Sequence, residues 1–465
     1  MHSILVTAFN PFISRNLFTG DFFKELKSQN NLKIILVVPD YKKEFFEKNF
    51  GGGNVVVEGV AVASPSRREV FFKYLASSLA WTRTILIHKR EKLAKDKKIL
   101  RFLFSLFLMA IGGLAIPRKI CRAFDYWLDN EGKFKELISK YSSALVFATD
   151  VFNDDDVRLL HAAKRAGVPT AGMIRSWDNI TTKGLFRARP NRLAVHNEII
   201  KKEAIRYCDM RAKDVFTVGL PQFDIYFQPP RLSREEFFRK LGFDPSKKLI
   251  MFSPFGNRFW DLDWQILEIL KQTGYQVLAR LTPQDLVDLS KFTSAPNVYI
   301  DNPGQRFHEN KARDAELGLD DLRWLSDSLC YSDLVVTCGA TLGLDALAFD
   351  KPVIMVGFDP DTTTRSGGEI SQNSSFGVGV DGFEKRPYIR SVKRFLDFNH
   401  PQIIFKTGGF YTAKSKEALL IKIEEYLKNP SLDREKRSKL KGVFYYKSDG
   451  RSGQRLANVL LNFLH

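Results

Sequence analysis

What most limits the fold of this chain is a rhythm set up in its first forty residues. A short apolar run at 3–8 (SILVTA) stops at Asn10-Pro11, a helical pattern follows over 17–28, and a second apolar run at 33–38 (KIILVV) closes at Pro39-Asp40. Runs of that length without alternation are strands covered on both faces, and a strand–helix–strand order requires parallel pairing. The unit returns with a strand at 144–148, a helix from Asp154 to Ala166 stopped by Gly167, and strands at 170–174 and 215–218. It restarts in the second half, with strands at 249–252, 275–281, 298–300, 334–337 and 352–356 and helices over 261–272, 320–330 and 342–349. Between the halves, 222–234 reads as a linker, with Pro229 and Pro230 inside it and Pro221 just before. A length of 465 residues suits two domains of ordinary size. The expected fold class is α/β, two Rossmann-like doubly wound domains facing across a cleft. The expected bounds are 1–225 and 226–435, with 436–465 as a terminal helix returning to the first domain.

Residues 66–130 break the rhythm. Ile99–Ile116 is almost wholly apolar, interrupted by Arg101 and Ser105, and a basic run from Lys89 to Lys98 precedes it. Its length is marginal for a membrane span. A single crossing would also separate two parts of one Rossmann domain. Two readings stay open: a buried core helix, or an apolar-plus-basic element lying on the inner face of a membrane.

Composition narrows the partners. Lys and Arg number 71 against 53 Asp and Glu, a net charge of +18. Such a surplus favours phosphorylated substrates, acidic membrane or nucleic acid, or is merely a solvated surface. The basic residues are spread along the chain without a nucleic-acid reading motif, so nucleic acid is not an expected partner. Cys121, Cys208, Cys330 and Cys338 show no metal-ligand spacing and read as reduced thiols. The N-terminus lacks the basic and apolar regions of a signal peptide, so a cytoplasmic protein is expected.

In open parallel sheets, ligands bind beyond the carboxyl ends of the strands, and chemistry is sought there. After the strand at 334–337 comes a small-residue turn, Cys338-Gly339-Ala340-Thr341, opening directly into a helix that carries Asp345. Gly339 permits close backbone approach and the helix start offers free N–H donors, a seat for a donor diphosphate, while Asp345 can accept from ribose hydroxyls. An ordinary strand-to-helix turn with Thr341 as N-cap accounts for the same residues equally well. After the strand at 170–174 comes Arg175-Ser-Trp-Asp-Asn-Ile-Thr-Thr-Lys-Gly184. Within it Asp178 is the candidate base for an acceptor hydroxyl, Trp177 and Asn179 line the site, and Lys183 can neutralise a phosphate. Asp150, at the preceding strand end, is a rival base or a helix cap. Arg15 and Asn16 after the first strand, and Asn257, Arg258 and Arg280 in the second half, are further candidates for charge developing on a departing phosphate. P-loop, GxSxG, HExxH and GxGxxG patterns are absent. Asp154-Asp155-Asp156 and Asp261-Leu-Asp263 both begin helices, so neither supplies a metal-binding DxD loop; no metal and no cofactor are expected.

Residues 333–354 resemble the donor-binding segment of GT-B transferases, which read strand, small-residue turn, helix with an acidic residue, then Asp-Lys-Pro-Val-Ile. The segments Ser176–Gly184, Asn197-Glu-Ile, Val218-Gly-Leu-Pro-Gln-Phe-Asp224 and Asp449-Gly-Arg-Ser-Gly-Gln-Arg-Leu-Ala-Asn458 resemble CDP-glycerol glycerophosphotransferase-like and surface-polysaccharide GT-B proteins. The resemblance implies a nucleotide-activated donor held by the second domain at Gly339, Ala340, Thr341 and Asp345, and an acceptor at the first. The Arg-x-His-Pro segment of the glycerophosphotransferases is here Arg280-Leu-Thr282-Pro283, and a threonine cannot exchange a proton near neutral pH. A sugar donor is therefore expected over a polyol phosphate. The reading is a metal-independent glycosyltransferase working on a glycan or lipid-linked acceptor. A nucleotide-sugar 2-epimerase of the same fold and a non-catalytic scaffold are the alternatives.

Overall fold

The computed structural model describes residues 2–129, 132–256, 260–284, 295–308, 314–339, 341–359 and 396–464. The chain divides into two compact units: Met1–Asp224 with Tyr445–His465, and a second within Ile225 to Phe444. The changeover falls inside the proline-rich linker. The return falls at 445, nine residues beyond the expected 436, because helix Arg434–Phe444 is anchored to the second unit. Its buried Arg437 donates to Asp350 (3.1 Å) and to the Pro430 carbonyl (2.9 Å).

The first unit is built on strands β1 (His2–Thr7), β2 (Leu32–Pro39), β3 (Val55–Val60), β4 (Leu145–Ala148), β5 (Thr170–Met173), β6 (Arg192–Val195) and β7 (Val215–Thr217). All pair in parallel, in the order β3-β2-β1-β4-β5-β6-β7. Alternation along β1 supplies both faces. Ile4 and Val6 join one core with Phe22, Phe46 and Leu456, while Leu5 joins the opposite one with Phe134 and Leu159.

The last helix, Ser452–Leu464, closes this unit. Asp224 accepts from the backbone N–H of Ser452 (3.0 Å) and Gly453 (2.7 Å), and Arg455 donates to the Val218 carbonyl (2.8 Å). Gly219 has φ +96°, and a Cβ there would lie 2.4 Å from the Ser452 hydroxyl. The GLPQFD and DGRSGQR segments are therefore two halves of one structural clasp.

The second unit has strands β8 (Leu249–Ser253), β9 (Gln276–Arg280), β10 (Val298–Asp301), the pair β11 (Gln305–Arg306) and β12 (Ala315–Glu316), then β13 (Leu334–Thr337), β14 (Val353–Val356) and β15 (Tyr411–Ala413). Its main sheet is parallel in the order β10-β9-β8-β13-β14-β15.

The off-rhythm segment is a helical insertion in the first unit: Arg67–Ser78, Arg83–Asp96, Ile99–Ile111 and Ala115–Trp127. It is bolted to the Rossmann core by charge. Buried Arg187 binds Asp125 through two bonds (2.7 and 3.1 Å) and Asp154 through a third (2.7 Å). Arg158 binds Glu69 (2.7 Å) and Asp155 (2.8 Å), and Asp129 accepts from Arg68 and meets His161 (2.8 Å). Asp154 and Asp155 are thus spoken for as structural anions at a helix start capped by Asn153. Of the two readings of 99–116, a single buried core helix does not fit. Two helices meet there at 115°, and none of the described helices is long and apolar enough to cross a membrane alone.

Candidate functional site

In the first unit the strand order reverses between β1 and β4, where a doubly wound sheet opens a crevice at its carboxyl edge. Thr7 and Thr149 clasp the two strand ends, the Thr149 N–H donating to the Thr7 hydroxyl at 2.9 Å. The Thr7 hydroxyl also donates to Asp156, whose carboxyl burial holds well above the ordinary range. Beyond this clasp the backbone departs from regular geometry. Phe12 has φ +78°, and Ser14–Phe18 forms a π-turn. Left-handed non-glycine residues and π-turns are costly and concentrate where a site requires them.

Asp150 is fully buried at this edge. It accepts from Asn10 Nδ2 (2.7 Å), Arg175 Nε (3.1 Å) and the Phe152 N–H (3.1 Å). With these three partners and no exposure, Asp150 is an anchor for the groups around it. The group it anchors is the more informative one. Arg175 is held through Nε alone, and its two terminal nitrogens make no hydrogen bond among the described residues. A guanidinium fixed at one edge with its fork open is built to take an oxyanion. Arg15 and Asn16 lie in the π-turn beside this edge. Arg15 donates to Asn16 Oδ1 (3.0 Å) and stacks on the Phe12 ring (4.8 Å).

The cluster at 175–184 folds back over β5 and ends in the short helix Asn179–Lys183. Asp178 accepts from the Ser176 hydroxyl and from Asn179 Nδ2 (3.3 Å). Asn179 Oδ1 is buried without a partner among the described residues. Trp177 packs on the core beneath, and Lys183 sits over the Phe152 ring at 5.4 Å. The insertion buttresses this cluster directly. Thr82 donates to the Thr181 carbonyl (2.7 Å), and at Gly184 (φ +90°) a Cβ would come within 2.5 Å of the Ala76 carbonyl.

Glu203, on helix Glu198–Cys208, was missed by the sequence because lysines at 201 and 202 make its surroundings look solvated. Its Oε2 is buried without a hydrogen bond among the described residues. Burial, and then the nearby charge of Asp178, push its carboxyl up to about 7. Asp178 and Glu203 are thus two carboxyl groups that feel each other's charge, with burial as the main reason that Glu203 is shifted upward. At the end of β6, fully buried His196 is driven down to about 4 by burial and stays neutral.

The Glu203 shift makes a testable statement. The folded chain holds this proton up to about 7, whereas an unfolded chain releases it near 4.5, so the group costs stability as pH rises through that window. Glu203→Gln is expected to raise stability at pH 8 by roughly 1–3 kcal/mol and to give no gain at pH 4.5. Urea unfolding at the two pH values measures it, and a difference independent of pH would count against the assignment.

In the second unit the order reverses between β8 and β13, and the loops after both strands carry left-handed glycines, Gly256 (φ +94°) and Gly339 (φ +98°). Asp263 accepts from the N–H groups of Phe255 (2.7 Å) and Gly256 (2.8 Å), which pins the first loop. Thr341 is exposed, begins the helix Leu342–Ala346 and makes no side-chain cap bond.

Two of the expected donor residues already have protein partners. Asp345 is buried and accepts from the Tyr226 hydroxyl (2.8 Å), which ties its helix to the linker. Arg280 is buried and paired with Asp301 at the neighbouring strand end. Thr282 follows, half-buried. Asn257, Arg258 and Ala340 lie outside the described residues.

No protein-family model matches the chain, and no curated protein matches it. Solved structures do. A UDP-GlcNAc 2-epimerase from Neisseria meningitidis, bound to UDP-GlcNAc, matches at TM-score 0.53 and 9% identity, covering 99% of this chain and 100% of that one. The S. aureus MnaA–UDP structure matches at TM-score 0.53 and 10% identity, covering 100% and 97%. The glycotransferase of kitacinnamycin matches at TM-score 0.51 and 10% identity, covering 100% and 99%. At such identities the likeness speaks for architecture alone. Combined with two doubly wound parallel sheets in one chain, it identifies the fold as GT-B, two Rossmann-like domains in succession.

Proposed function

We propose that the chain is a metal-independent glycosyltransferase that moves a sugar from a nucleoside-diphosphate donor to a hydroxyl of a glycan or lipid-linked acceptor at the cytoplasmic face of a membrane. The observation that carries this reading is Arg175, held by buried Asp150 with its fork open at the reversal point of the first sheet. An anionic substrate group is what such an arginine receives, and a fixed cation supplies the charge otherwise brought by a metal. Asp178, half-buried, is assigned as the base: its carboxylate takes the acceptor's O–H proton as the acceptor oxygen attacks the anomeric carbon, and buried Glu203 acts on it through charge. The bond from that carbon to the diphosphate breaks, and the pair of electrons leaves with the nucleoside diphosphate. The glycine turns at Gly256 and Gly339, with Thr341, are assigned to donor phosphates, and Asn257, Arg258 and Ala340 stay with them as part of the proposal. Arg15, Asn16, Trp177, Asn179 and Lys183 are assigned to the acceptor side. A polyol-phosphate donor has no support beyond the quoted sequence segments.

A second reading, a nucleotide-sugar 2-epimerase, is favoured by the same carboxylate pair, since removing and returning a sugar proton needs groups that titrate near neutrality. The fold likeness to proteins described as UDP-GlcNAc 2-epimerases points the same way. One incubation separates the two. With UDP-GlcNAc and no acceptor, a transferase releases UDP slowly at most, whereas an epimerase converts the sugar at C2. Transfer is expected to persist in excess chelator; abolition by chelator with rescue by manganese would overturn the metal-independent mechanism.

A further inference from the structure

In the helix Ala115–Trp127 the usual arrangement of an amphipathic helix is inverted. Three of its four charged residues face the protein, and Lys119 is exposed. Arg122 donates to Asp209 (2.7 Å), the Phe186 carbonyl (2.9 Å) and the Cys208 carbonyl (3.0 Å), Arg118 pairs with Asp209 (2.7 Å), and buried Asp125 receives Arg187. Its apolar residues Ile116, Ile120, Phe124 and Trp127, spaced along one face, are 50–73% exposed. In a helix surrounded by water the two faces would be exchanged.

The preceding helix, Ile99–Ile111, continues the surface. Leu108 and Met109 pack inward, while Ile99, Leu100, Leu103, Phe104 and Phe107 are 46–84% exposed. With Leu114 at the bend, this is a contiguous run of large side chains in sequence, too extensive to be the scattered exposure of a normal surface. The flank is basic. Between 83 and 101 eight basic residues stand against two acidic ones, and Arg90, Lys92, Lys95, Lys97, Lys98 and Arg101 are exposed.

We infer that the faces of Ile99–Ile111 and Ala115–Trp127 form a docking surface for an anionic lipid bilayer. The helices lie in the interface with apolar side chains among the acyl chains and the lysines against anionic headgroups. Charge complementarity selects this occupant over a second copy, because pairing two such surfaces would bring their basic flanks together. Exposed tryptophan and phenylalanine suit the headgroup boundary. Neither helix spans: the first is 13 residues long, about 20 Å, and the second is fastened to the core by its arginines. The inference rests on the insertion alone and stands whichever reaction the chain catalyses.

The full-length chain is mixed with phosphatidylcholine vesicles, with or without phosphatidylglycerol, and sedimented. Binding is expected to require phosphatidylglycerol, to weaken as salt rises, and to fall by at least about tenfold in Leu103→Glu/Phe107→Glu. Lys97→Glu/Lys98→Glu is expected to lower binding to the anionic vesicles. Both pairs of positions are exposed, so unchanged thermal unfolding is the expected control. Brominated lipid should quench the parent's tryptophan emission and quench Trp127→Phe less, a readout that needs no destabilising change. A chain that ignores every vesicle, or a Leu103→Glu/Phe107→Glu protein that binds like the parent, overturns the inference. So does a concentration-dependent dimer that the same substitutions dissociate, because a second copy would then own the surface.

Discussion

Arg175→Ala is expected to lower kcat/KM for the nucleotide-sugar reaction by about 100- to 1,000-fold, the usual consequence of removing a fixed donor to developing charge. The magnitude follows from how the arginine is held. Asp150 takes Nε and Asn10 takes a second position on the same carboxylate, so the guanidinium pays little ordering entropy when an oxyanion arrives. Arg175→Lys should recover only part of the loss, because an ammonium cannot both keep the Asp150 bond and present a fork. Asp150→Asn should also impair activity, and its effect should not add to that of Arg175→Ala, since both remove one coupled unit. Steady-state kinetics together with UDP-induced thermal shifts measure these effects. An Arg175→Ala protein within about twofold of the parent would remove the basis of the proposed function.

Arg187→Met is expected to destabilise the first unit by about 2–4 kcal/mol, because it removes the three bonds that hold buried Asp125 and Asp154 together and leaves Asp125 with Arg68 at 3.7 Å and Asp154 with Lys73 at 2.6 Å. The loss falls mainly on Asp125, whose two close bonds both come from Arg187. One contrast makes the point measurable in urea unfolding. Lys24→Met, which removes an exposed partner of Asp21, should change stability by less than about 1 kcal/mol. A loss at neutral pH below about 1 kcal/mol would mean that water reaches the network and that the insertion is held by apolar packing alone.

Much of the architecture was readable from residues 3–8, 33–38, 249–252 and 334–337, since apolar runs of that length allow few alternatives to buried parallel strands. Strands β3, β6 and β15 were not legible. Val55–Val60 carries Glu58 and Gly59, Arg192–Val195 is four residues long, and Tyr411–Ala413 is three, so none shows a period of its own. The terminal segments were read as family marks and turn out to be a clasp, because capping by Asp224 spans more than two hundred residues and leaves no local trace.

The candidate site divides in the same way. Its address at the strand ends, and its density of polar residues at 175–184, belong to the sequence. What each carboxylate and each arginine is bonded to was decided by tertiary contacts. Asp150 and Asp178, or Arg280 and Arg175, are the same residue types in similar local settings. They differ in what the fold sets against them: Asn10 and Arg175 around Asp150, Asp301 against Arg280, and for Arg175 a bond through one edge only. Periodicity is a property of neighbours in sequence and so survives in the string of residues. Burial and ion pairing are properties of neighbours in space, and they exist only once the sheet has brought distant segments together.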